Sequence, residues 1–153
     1  MRFLLYDRII EMEMGKRALA TKLVPMSEEY FPEHYSRRAV MPATLIIEAV
    51  AQLAGWLNVA SCDFKIETAL AMVEGVQIHR QVRPGDSLIL EVWMLYPHHD
   101  GATLRGEVRM EKKIIAAVDR LVFGNRVSAD KEHASRERER FRYLSGEFQE
   151  RFL

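Results

Sequence analysis

A chain of 153 residues with 22 Lys and Arg against 22 Asp and Glu has no net charge, which excludes a bulk electrostatic case for nucleic acid or an anionic membrane surface. Its 48% hydrophobic and 29% charged residues are the composition of one soluble domain that can bury a real core. A single cysteine, Cys62, excludes an intrachain disulfide, and Asp7 and Arg8 break the opening apolar run too early for a secretory signal, so a cytoplasmic setting is expected.

Phe3 to Val24 reads as irregular strand or turn around Met14-Gly15-Lys16, with Arg17–Val24 alternating well enough for a strand. Pro25 to Pro42 has no period and reads as a long loop carrying His34. Ala43 to Ala60 is apolar nearly all round and predicts a buried helix opened by Pro42, since proline suits a helix start. It approaches a membrane span in length, but Glu48, Gln52 and Asn58 favour a globular core helix. Thr68 to Val82 reads as a strand, Arg83-Pro84-Gly85-Asp86 as a type II turn, and Ser87 to Tyr96 as a strand covered on both faces. Ala102 to Glu111 alternates, with Thr103, Arg105, Glu107, Arg109 and Glu111 outward and Leu104, Val108 and Met110 inward. A tight turn at Glu111–Lys113 leads back into Ile114–Phe123. Ser128 to Leu153 is rich in Arg and Glu and predicts a helix with one apolar stripe, Phe141, Leu144, Phe148 and Phe152, docking on the domain or on a partner. One long early helix, then antiparallel strands, then an amphipathic tail define an α+β domain whose sheet must cover the helix.

The chemistry concentrates in the early helix and the loop before it. Thr44, Glu48 and Gln52 stand four apart and form one narrow polar file on an apolar helix. A buried carboxylate needs a partner or a task, and His34 is the nearest candidate in sequence. Imidazole and carboxyl together can remove one proton and donate another, so His34 and Glu48 are read as an acid–base pair. Glu48 as a salt-bridged structural acid beside Arg37 or Arg38 is the competing reading. His79 reads as packing or surface, His98-His99-Asp100 as a turn with a weak case for metal, and Cys62 as an inert thiol.

The segment FPEHYSRRAVMPATLIIEAVAQLAG resembles the active-site segment of the 3-hydroxyacyl-[acyl-carrier-protein] dehydratases of the FabZ and FabA type. The likeness rests on His34, Val40-Met41-Pro42, Leu45, Glu48-Ala49 and Ala51-Gln52, and on the fourteen residues that separate His34 from Glu48. FLLYDRII resembles the family's opening stretch, Val82-Arg83-Pro84-Gly85-Asp86 its Pro-Gly-Asp turn, and Ala116–Phe123 its last strand. A series of spaced motifs in the right order is far more specific than any one of them. Glutamate at position 48 resembles the FabZ branch. The departures lie in the histidine loop, where Glu33, Tyr35-Ser36-Arg37 and Ala39 stand where the family has Gly, Phe-Pro-Gly and Pro, and Ala43 replaces the glycine that opens the helix.

The resemblance implies a hotdog fold, with residues 1–124 one hotdog domain and 125–153 a C-terminal helical extension. It implies dehydration of a (3R)-3-hydroxyacyl thioester to the trans-2-enoyl product in fatty-acid or related acyl-chain synthesis. His34 would be the general base, Glu48 the general acid, the Ala43 N–H the enolate donor, and Gln52 the residue that orients the carboxyl. The substrate would arrive on the phosphopantetheine of an acyl carrier protein, with no metal or redox cofactor. A homodimer is implied, with a trimer of dimers as a further assembly and His34 of one chain facing Glu48 of the other. Another hotdog acyl-thioester enzyme (enoyl hydratase or thioesterase) and a non-catalytic acyl- or carrier-binding homologue remain as alternatives.

Overall fold

The computed structural model describes residues 4–28, 30–33 and 38–146, the side chains of residues 32 and 33 excepted. In chain order the elements are β1 (Arg8–Glu13), β2 (Arg17–Leu23), α1 (Tyr30–Glu33), α2 (Ala43–Ser61), β3 (Ile66–Ile78), β4 (Ser87–His98), β5 (Gly101–Met110), β6 (Lys113–Val127) and α3 (His133–Ser145). The six strands form one antiparallel sheet in the order β1-β2-β4-β5-β6-β3. This sheet curls round α2, which is the hotdog arrangement, and the expected α+β class is observed.

The wrapping follows from side-chain size. Leu53, Ala54 and Leu57 of α2 meet Leu90, Leu104 and Leu121 of the sheet in a core that excludes water. Gly106 of β5 lies so close to the helix that a Cβ there would overlap Val50, so glycine sets the approach distance. Among the buried side chains of α2, one is polar. Asn58 is 1% exposed, and its amide donates to Asn125 Oδ1 at 2.7 Å and Thr68 Oγ1 at 2.9 Å while accepting from Asn125 Nδ2 at 3.2 Å. Every polar atom of that side chain is therefore used, as burial requires. The same C-terminal end of the helix is tied again through Ser61, whose Oγ accepts from Gly15 N in the β1–β2 turn at 2.7 Å.

The turns match their local chemistry unevenly. At Arg83–Asp86, Gly85 takes φ +92° and Asp86 N donates to Arg83 O at 3.1 Å, as a Pro-Gly type II turn requires. The β5–β6 turn puts Glu111 at φ +50° and Lys112 at φ +68°, a conformation glycine and asparagine favour and these residues do not.

Three expectations need correction. The stretch read wholly as loop contains the short helix α1. The strand expected to reach Val82 ends at Ile78, and Val82 instead forms an isolated bridge with Met41. Thr103, expected outward, is 4% exposed and hydrogen-bonds the His98 ring at 3.2 Å, because the sheet is bulged at Met94–Tyr96 opposite it.

The tail helix docks as its stripe predicts. Phe141 and Leu144 are buried, and the Phe141 ring centroid lies 5.9 Å from that of Trp56 and 5.4 Å from that of Phe64. His133 Nε2 meets Ile66 O at 3.0 Å and Arg138 donates to Asp63 O at 3.2 Å, which pins α3 across the end of α2 and the start of β3. Phe148 and Phe152 lie outside the described residues.

Candidate active site

The site is built at the first three turns of α2. Met41 N donates to Val82 O at 2.8 Å, which anchors the chain just before the helix. Pro42 then caps α2 with no side-chain hydrogen bond, while Leu45 N and Ile46 N turn back to Pro42 O at 3.0 and 3.4 Å. The N–H groups of Ala43 and Thr44 precede the first intrahelical bonds and, with both residues exposed, offer donors at the positive end of the helix dipole.

Glu48 stands one turn further on. Its Oε1 accepts from Gln52 Nε2 at 3.0 Å, and Gln52 Oε1 in turn accepts from Leu5 N at 3.2 Å. The two bonds orient the Gln52 amide, since the nitrogen must face the carboxylate and the oxygen the backbone N–H. The four-residue spacing thus produces contact, and Gln52 holds the carboxyl in place. The sequence reading placed Glu48 on a buried helix, whereas in the single chain Glu48 is exposed and Gln52 half-buried. The reason is geometric: the sheet covers the sides of α2 that carry Leu53, Ala54 and Leu57, and the polar file lies on the side it leaves open.

That open side is a groove of about 1080 Å³. Glu48 and Gln52 line it together with Ala51, Gly55, Trp56 and Val59 of α2, Leu70 of β3, Phe123 of β6, and one face of α3. Beyond that carboxyl and amide the α2 wall is apolar, while the sheet wall adds Glu67 and Thr68 of β3 to its apolar residues, a mix found in pockets for small organic ligands. Gly55 and Trp56 follow Glu48 by seven and eight residues, so helical spacing alone could have found them; no sequence signal placed α3 there.

His34, with Tyr35, Ser36 and Arg37, lies outside the described residues. The structure therefore brings Glu48, Gln52 and the Ala43 N–H to one end of one helix. Of the remaining candidates, His79 is exposed beyond the end of β3 and His98 serves Thr103. Among the described residues no three His, Cys, Asp or Glu side chains converge as a metal cluster. Burial pushes the Cys62 thiol above its usual range, away from the reactive thiolate.

The architecture recurs in solved structures of low sequence identity. A Streptococcus mutans protein solved with acetyl-CoA bound superposes with TM-score 0.67 at 12% identity, over 85% of this chain and 96% of that one. A dehydratase heterocomplex from Xenorhabdus doucetiae gives TM-score 0.61 at 15% identity, over 74% of this chain and 92% of that one. These likenesses define the fold.

Sequence comparison narrows the class. A family model described as the FabA-like domain matches residues 1–119. A relative from Aromatoleum aromaticum, a 3-hydroxyacyl-[acyl-carrier-protein] dehydratase FabZ, is 37% identical over 78% of this chain and 89% of its own length. A FabZ of the same description from Thermomicrobium roseum is 40% identical over 76% of this chain and 83% of its own length. The chain belongs to the FabA-like family, and its similarity is to the FabZ dehydratases.

Proposed function

We propose that this protein is a dehydratase of (3R)-3-hydroxyacyl thioesters carried on acyl carrier protein, acting in cytoplasmic fatty-acid or related acyl-chain synthesis. The observation that carries the reading is the Glu48 carboxyl held by Gln52 at the mouth of an apolar groove, beside the free N–H groups that open α2. Family membership supplies the reaction class.

Neutral His34 takes the proton α to the thioester carbonyl. The enolate oxygen that develops is met by the Ala43 N–H, which replacement of glycine by alanine does not remove. Protonated Glu48 gives its proton to the β-hydroxyl, the C–O bond breaks, and water and the trans-2-enoyl thioester leave. One proton is taken and one returned, no electrons are transferred to an acceptor, and the step as written uses no metal or redox cofactor. Residues 1–124 form the catalytic hotdog body and 125–153 an extension of it.

The working unit in this reading is a homodimer. The edge strand β3, paired with β6 on one side only, leaves Leu70, Met72, Val76 and Ile78 exposed, an arrangement that suits pairing of its outer edge with a second copy. A partner chain there would cover the open side of α2 and bring its own histidine loop to Glu48, which supplies the burial a carboxyl acid requires.

The test is turnover of a 3-hydroxyacyl carrier protein by purified protein, with products identified by mass. His34→Ala is expected to lose about two to four orders of magnitude in turnover while the dimer persists in sedimentation. Full activity in that variant would end the assignment, and hydrolysis in place of dehydration would move the protein to another thioester chemistry.

A further inference from the structure

The family match ends at residue 119, yet one whole wall of the groove comes from α3, which starts at His133. His133, Arg136, Glu137, Arg140, Tyr143 and Leu144 face the groove at three- and four-residue spacing, with Glu139 at the margin of the same side, so one side of this helix runs along it. Opposite stands α2 from Glu48 to Val59, twelve residues or about 16 Å of helix. The groove therefore has its carboxyl at one end, an apolar α2 side, and a second side contributed by the tail.

The tail is fixed there. Its start is bonded to Ile66 O through His133, its middle is wedged by Phe141 between Trp56 and Phe64, and Gly146 lies beside the Arg8 side chain of β1. Arg136 pairs with Asp130 and Arg140 with Glu137, which leaves their methylene stems as the surface offered to the groove.

We propose that α3 is the outer wall of the acyl-chain site and that it sets how long a chain the protein accepts. This rests on the dehydratase reading only for the identity of the ligand as an acyl thioester. Each methylene buried between α2 and α3 adds about fourfold in affinity, and the gain stops where the walls end. Short chains, held by the catalytic end alone, gain nothing from the tail.

Non-hydrolysable acyl-pantetheine probes from butyryl to palmitoyl, titrated by calorimetry against the full-length protein, test this without requiring turnover. The double variant Arg140→Ala/Tyr143→Ala alters two exposed side chains that the core does not need, and Leu144→Ala opens the wall from its buried side. Both are expected to weaken the longest well-bound probe about tenfold, the worth of two or so lost methylene contacts, and to leave the butyryl probe unchanged. The double variant keeps the test valid if Leu144→Ala melts early. Gly55→Leu is the control, since a Cβ at position 55 meets only Phe123 Cε1 at 3.6 Å and a longer side chain there fills the groove from the α2 side. If Gly55→Leu rejects long probes and the α3 variants do not, the groove holds the chain and α3 is not its wall, which overturns the inference alone. If affinity is independent of chain length in the parent and in Gly55→Leu, the inference falls together with the acyl-site reading.

Discussion

The two halves of α2 are one continuous helix and obey different rules. From Leu53 to Ala60 the helix is core on its sheet-facing side: Leu53, Ala54 and Leu57 are inaccessible, and the buried amide of Asn58 has every polar atom hydrogen-bonded. From Ala43 to Gln52 the same helix exposes Ala43, Thr44 and Glu48, and its polar side chains bond each other or await a ligand. The second half holds α2 rigid so that the first half can present groups that do not help folding. Substitutions in the two halves should therefore separate activity from stability.

The largest effect is expected at Glu48. Glu48→Gln keeps the side-chain shape and removes the transferable proton, so turnover should fall by about two to four orders of magnitude. Its melting temperature should stay near that of the parent, because an exposed carboxylate contributes little to the fold. A variant that melts early would mean that the first half of α2 is structural after all.

Leu57→Ala should do the reverse. It empties a site fully buried in the core and is expected to cost about 2–5 kcal/mol of stability in denaturant titrations. Turnover per folded molecule should be retained, and a proportionate loss of both would erase the distinction between the halves.

Gln52 sits on the border. Gln52→Ala frees the Glu48 carboxyl and leaves Leu5 N without its side-chain acceptor. Turnover should drop about tenfold through lost orientation, with KM nearly unchanged and stability lower by about 1 kcal/mol. Gln52→Glu should not rescue it, since a second carboxylate beside Glu48 repels rather than donates.

The smallest effect concerns the tail. Asp63 is held below the usual carboxylate range by hydrogen bonds from Lys65 and Arg138, Glu67 by Arg126 and Ser128, and Asp130 by Arg136 and the Glu132 N–H. A lowered folded-state pKa stabilises the ionised form, so these contributions are full at neutral pH and fade as pH falls through and below the normal range. The docking of α3 should loosen below about pH 4, before the core of α2 melts. Fluorescence of Trp56, which touches Phe141, should report it; a single transition shared with the core would show that the tail has no independent equilibrium.

Much of this layout was readable in the sequence, for identifiable reasons. The 3.6-residue period marked α2 and the tail stripe, the Pro84-Gly85 pair specified its own turn, and the four-residue spacing of Glu48 and Gln52 foretold their contact. What was missed depends on the rest of the molecule. Nothing local says which side of an all-apolar helix the sheet will leave open, so Glu48 was expected buried. Thr103 follows an alternation that a bulge in the neighbouring strand disturbs. The place of α3 along the groove depends on Trp56 and Phe64, both remote from it in sequence.

The turn between β5 and β6 bears on the order in which the domain assembles. Glu111 and Lys112 both adopt left-handed backbone that costs roughly 1–2 kcal/mol each, so this hairpin has no local encouragement to form. It exists because β4, β3 and α2 hold its strands from outside. Folding should therefore begin elsewhere, and the hairpin should neither form first nor peel away by itself. Its strand amides are expected to exchange with solvent only through unfolding of the whole domain, and separate, faster exchange of β5 and β6 would contradict that order.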